Sequence, residues 1–172
     1  MYRITNINKM IKKGVFIKMK KLLVRIFPPN LNNDYKGYKI SLYVFYALTA
    51  LVLWRSQHHV LAPDGGAQSI ATIPLDTFTE FGATAVISAF SLWGLSQLIL
   101  GFINVLVVLR YKSLLPFMYI LMIFEYLGRM MIGSVKPMPQ VGTAPGGVIN
   151  LPFVILALVM LVLSLKEPSK KD

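Results

Sequence analysis

Four stretches of the chain are apolar over a length that suits a helix through a bilayer: Lys39 to Arg55, Phe81 to Leu109, Leu114 to Ser134, and Val148 to Leu165. A hydrocarbon core of about 30 Å takes roughly 17–25 helical residues. The pattern predicts an all-α membrane protein, a four-transmembrane-helix bundle with a basic N-terminal amphipathic segment. Its expected parts are a leader over 1–37, a transmembrane domain over 38–166 and a tail over 167–172. Span two is the longest, about 29 residues or roughly 43 Å, so it must tilt or project from the membrane. Thr77-Phe78-Thr79-Glu80 reads as a capping box, with the Thr77 hydroxyl and the Glu80 carboxylate satisfying the first free amides of span two.

The polar stretches between these runs have distinct chemistries. Residues 58–74 carry Pro63, Asp64, Gly65 and Gly66, and residues 136–147 carry Pro137, Pro139, Pro145, Gly142, Gly146 and Gly147, so both read as irregular loops. The second of them is placed to act as a lid over the bundle. Arg110-Tyr111-Lys112-Ser113 is by contrast a tight connection, which makes spans two and three an antiparallel hairpin. Positions at equal depth then sum to about 223 if both helices rise 1.5 Å per residue. Gln97 is expected near Glu125, and Gly94 near Arg129, where a glycine would leave room for the guanidinium.

Glu125 and Arg129 stand in the middle of span three. Ionisable groups at that depth are costly and by default mark a working site. Their i, i+4 spacing favours a same-helix ion pair. On span two, Gly94, Gln97, Gly101 and Asn104 fall within one arc, a small and polar face turned toward the bundle. The expected site is a polar cavity lined by Glu125, Arg129, Gln97, Asn104 and Tyr126, with helix packing through Gly94, Gly101 and Gly128; Tyr119 is expected to offer its hydroxyl there too. In it Arg129 would hold an anionic or carbonyl group and Glu125 would orient it or take a proton. A polar clamp locking two helices accounts for the same residues.

Composition narrows the functional classes. The chain is 55% hydrophobic and 15% charged, with a net charge of +11. Its basic residues do not form a nucleic-acid patch: Arg3, Lys9, Lys12, Lys13, Lys18, Lys20, Lys21, Arg25, Lys36 and Lys39 precede span one, Arg110 and Lys112 lie in the hairpin turn, and Lys166, Lys170 and Lys171 follow span four. In a four-span chain all three groups share one side, so both termini are expected to be cytoplasmic, in a bacterial-type inner (plasma) membrane. On a helix Ile11, Val15, Met19, Leu22 and Ile26 share a face opposite Lys13, Lys20, Lys21 and Arg25, a pattern that suits contact with anionic lipid. A basic leader translated from upstream of a natural start at Met10 or Met19 is the alternative. Val15 to Ile17 is too short an apolar core for a cleaved signal.

No cysteine is present, which removes thiolate metal sites, iron–sulfur clusters and disulfides. His58, His59 and Asp64 are expected in a plain outer loop rather than in a metal or haem site; no metal and no cofactor is expected. Met118, Met122, Met130 and Met131 are assigned to packing, and Trp54 and Tyr38 to interfacial anchoring. The chain lacks a nucleophile triad, a phosphate-cradling glycine motif and HExxH.

At Gly128-Arg129, followed by Gly133 and the Pro137/Pro139 loop before a last apolar helix, the chain resembles DoxX-like small four-helix membrane proteins over residues 39–165. The resemblance implies a compact four-helix membrane bundle, in some members associated with quinone-linked redox systems; only Gly128 and Arg129 carry over. The leading expectation is an integral membrane protein that binds a lipid-like or small polar ligand, or supports a membrane protein partner or a second copy of itself, through Glu125 and Arg129. The alternatives are a proton-coupled transporter and, behind it, a membrane enzyme or quinone-linked redox subunit.

Overall fold

The computed structural model describes residues 2–168, with side chains from residue 14 onward. The side chains of Arg3, Lys9, Ile11, Lys12 and Lys13, and residues Lys170 and Lys171, lie outside the described residues. Among the described residues every regular element is helical: α1 (Tyr2–Ile26), α2 (Lys39–Leu61), α3 (Glu80–Arg110), α4 (Leu115–Val135) and α5 (Pro145–Leu165), with short 3-10 turns at Leu75–Thr77 and Lys112–Leu114.

Three helices are long and apolar enough to cross a membrane: α3, α4 with its preceding turn, and α5. The expected fourth span is the point of difference. Apolar sequence was expected to stop at Arg55, but α2 continues to Leu61 through Ser56, Gln57, His58 and His59. Lys39 and Arg55, with these polar residues, lower its apolar character below that of the other three, and Ser56 and His59 are buried against protein.

α2 and α3 form one close antiparallel pair, α4 and α5 another, and α2 also packs along α5. Glycines set the first contact. A Cβ at Gly94 would lie 2.5 Å from the Cβ of His59, and one at Gly101 2.7 Å from a methyl of Leu53. Both glycines therefore admit α2; the expectation that Gly94 clears space for Arg129 is corrected. The start of α3 is corrected as well: Thr79 is the cap, accepting from the Gly82 amide at 3.2 Å, while Thr77 donates to the Pro74 carbonyl at 2.7 Å. The 3-10 turn at Leu75–Thr77 uses Thr77 itself and pushes the cap two residues on.

The main core lies toward the α3–α4 turn, where Phe45 and Leu48 meet Val107, Leu115, Met118, Tyr119, Ala157 and Met160. Apolar contact alone would not hold these helices together in lipid, whose tails are as apolar as leucine, so close packing and specific polar bonds must do it. Phe45 and Tyr119 meet edge to face at 5.6 Å, and the Tyr119 hydroxyl donates to the Ser41 carbonyl at 2.5 Å. Tyr119 is thus tied to α2 at the turn end, away from the expected cavity cluster. The same end gathers the chain's other connections. The Ser113 amide donates to the Asn32 carbonyl at 3.2 Å, the Tyr38 amide to Leu163 at 3.1 Å, and Arg25 to the Leu165 carbonyl and Glu167.

At the opposite end the two loops meet. The Val141 amide donates to the Thr72 carbonyl at 3.0 Å, and the Thr72 hydroxyl to the Gly142 carbonyl at 3.1 Å. Ala67, Ile73 and Leu75 form a small core beneath them with Phe78, Val86, Ile87 and Phe90. Gly65 and Gly66 take φ of 59° and 74°, turning the chain so that Asp64 accepts from the amides of Gly66, Gln68 and Ser69.

Candidate functional site

Between the two helix pairs, α3 and α4 touch little beyond their turn. A cavity of about 170 Å³ occupies that seam, lined by Leu48, Val52, Gln97, Leu100, Asn104, Met118, Leu121, Met122, Glu125, Tyr126 and Phe153. Leu100 and Leu121 stand at its exposed mouth. Apart from Asn104 and the Gln97/Glu125 pair, its walls are apolar or aromatic.

Three helices each bring an i, i+4 pair to the polar end: Arg55 and His59 from α2, Trp93 and Gln97 from α3, Glu125 and Arg129 from α4. Residues four apart lie over one another on a helix face. The Arg55 guanidinium donates to Gln97 Oε1 at 2.6 Å, and Gln97 Nε2 donates to Glu125 Oε1 at 2.6 Å. Arg129 reaches the same oxygen, from Nε at 3.0 Å and also from its terminal Nη2. One amide thus links two guanidiniums through one carboxylate. Both guanidinium carbons also lie against the Trp93 ring, at 5.9 Å for Arg55 and 4.8 Å for Arg129, and Arg129 is 5.2 Å from the Tyr126 ring. These are cation–π distances, and the interaction gains as the cation is desolvated.

The structure brings Gln97, Glu125, Arg129 and Tyr126 together, with Asn104 buried two helical turns toward the α3–α4 turn. Tyr126 presents a ring face, stacked on Phe153 at 5.0 Å. Gly101 packs α3 on α2, but Gly128 packs nothing: a Cβ there would meet no atom within 4 Å. Its expected packing role is corrected, since open space surrounds the position.

Two residues of the cluster escaped the sequence reading. Arg55 reads in the sequence as the end of a span, although it is a third ionisable group on an apolar helix. Trp93 is one helical turn from Gln97, a spacing that was there to be used. His59 needs correction too: it is buried in the last turn of α2, 4.8 Å from the Trp93 ring, with its Nδ1 2.7 Å from the Gly65 carbonyl. Of the methionines, Met118 is core and Met122 lines the cavity, whereas Met130 and Met131 are exposed. Among the described residues no three of His, Cys, Asp and Glu gather as metal ligands.

Comparison with family models, with curated proteins and with solved structures gave no match. The walls of the cleft are mostly apolar and aromatic, with hydrogen-bonding groups at Gln97 and Glu125 and, two helical turns away, at Asn104.

Proposed function

We propose that this protein is a four-span integral membrane protein that binds a lipid-like molecule in the seam between α3 and α4, its polar head at the Gln97, Glu125 and Arg129 end. The observation that carries the reading is the lateral cavity, walled mostly by apolar and aromatic side chains, with Gln97 and Glu125 at one end and the amide of Asn104 two helical turns further in. Its volume of about 170 Å³ is slightly above that of an apolar protein cavity of about 150 Å³ that takes up benzene. Part of an acyl or prenyl chain fits there, and the rest can run out past Leu100 and Leu121 into the bilayer.

The membrane arrangement supports this use of the seam. α2 starts beside the end of α5 and finishes at the loop before α3, so it traverses the thickness that α3 and α5 traverse. Its polar last turns are covered by α3, which makes a fourth span acceptable despite its weaker apolarity. Lys36, Lys39, Arg110, Lys112 and Lys166 lie at the turn end, and the positive-inside rule puts that end, with both termini, in the cytoplasm of a bacterial-type inner membrane. The apolar positions Val15, Met19 and Leu22 are exposed on α1, available to an anionic cytoplasmic leaflet.

Mass spectrometry of lipids retained by the detergent-purified protein tests the reading. The parent should hold about one amphiphile per chain, and Met122→Trp, which fills the cavity, should lose it. Equal retention by both proteins would sink the proposal.

A further inference from the structure

The polar end of the cleft carries more positive charge than its own residues balance. Two guanidiniums, Arg55 and Arg129, face one carboxylate, Glu125. Arg129 holds that carboxylate directly, while Arg55 hydrogen-bonds the neutral amide of Gln97 and no carboxylate. Nor is Arg55 satisfied by it: its Nε is buried without a hydrogen-bond partner. A guanidinium has five donors in a planar fork, made for a carboxylate or phosphate, and an unpaired cation among apolar helices is expensive.

Several features converge on what would complete it. Gln97 is at once a wall of the cavity and the acceptor for Arg55, so a ligand entering the slot reaches Arg55 by displacing one flexible amide. The exchange replaces a neutral acceptor by an anion, so that a single hydrogen bond from the guanidinium becomes an ion pair able to use its planar fork. One negative charge makes the cluster neutral: two cations against two anions. The Trp93 ring lies against both guanidiniums and offers apolar surface beside the head. His59, buried 4.8 Å from the Trp93 ring, uses its Nδ1 on the Gly65 carbonyl and supplies no anion.

We infer that the ligand is a singly charged anionic amphiphile, a carboxylate or phosphodiester on an apolar tail, gripped by Arg55 with Arg129 as the second cation. This rests on the proposal that the α3/α4 cleft binds an amphiphile, and adds the head chemistry and the residue that selects it.

Binding of radiolabelled dodecanoate, methyl dodecyl phosphate (a singly charged phosphodiester) and methyl dodecanoate to the protein in nanodiscs, corrected for empty nanodiscs, separates the possibilities at about pH 9, where a carboxyl is ionised. Saturable binding of at least one anion about tenfold or more tighter than the ester is expected, the size of a charged hydrogen bond in a buried site. The anion that binds better identifies the source, a fatty acid or a phosphate head. Arg55→Gln should bring the anion-to-ester ratio close to one, and Arg55→Lys should keep most of it. If Arg55→Gln does not accumulate in folded form, the ratio in the parent decides. Saturable ester binding with a ratio near one overturns the anionic head and leaves the cleft standing; no saturable binding of any of the three overturns the cleft as well.

Discussion

Glu125 accepts from Gln97 and twice from Arg129, with about 30% of its side chain exposed against 19% for Arg129. Removing one partner of a buried pair costs about 3–5 kcal/mol, and partial exposure scales that down. Glu125→Gln should therefore lower unfolding stability by about 2 kcal/mol. Adding Arg129→Met should recover only part of the loss, because Arg55 still lacks a counter-charge; full recovery in the double-mutant cycle would mean that Arg55 is not coupled to the pair. The glycines give a sharper contrast. Gly94→Leu must push α2 from α3 and should cost about 1–3 kcal/mol, whereas Gly128→Ala meets open space and should be neutral or stabilising by up to about 1 kcal/mol. Thermal unfolding of the two variants in detergent checks both, and equal effects would contradict the packing described.

Between elements, what the sequence revealed depended on how the helices are joined. The short connection after Arg110 let depth be counted across α3 and α4, and that count leads to the Gln97–Glu125 contact. Counting fixes depth but not direction, which is why Gly94 was assigned to Arg129 although it faces His59. α2 joins α3 through a long loop, so no count could bring Arg55 to Gln97. The splay of α3 from α4 was also hidden, because a tight turn implies packing along the whole hairpin. That loop has its own test. Burial raises the Asp64 carboxyl, but the amides of Ser69 and Gly66, the Ser69 hydroxyl and the Gln68 amide outweigh it and hold the pKa at about 2, below the ordinary 3.8. A lowered folded pKa means a contribution present above the ordinary value and lost as pH falls through the folded one. Pepsin cleavage in this loop should stay slow near pH 4 and rise toward about pH 2; Asp64→Asn should already be cut quickly near pH 4. Identical profiles for the two proteins would remove Asp64 as the loop's organiser.

For the molecule as a whole, hydrophobic patterning made the helices legible, and the basic residues at one end suggest how they sit in a membrane. The chain has no cysteine, so single replacements report topology cleanly. Ser69→Cys and Val141→Cys should react with an impermeant thiol reagent outside intact cells, and Lys36→Cys only after lysis. The reverse pattern would invert the protein. The account turns most directly on whether an amphiphile enters between α3 and α4. A fatty acid with a diazirine along its tail, photolysed with the protein in nanodiscs and mapped by mass spectrometry, should label Leu100, Leu121 and Met122 well above the exposed α5 residues Leu158 and Val159. Labelling spread evenly over the lipid-facing surfaces, with no excess at the α3/α4 seam, would contradict it.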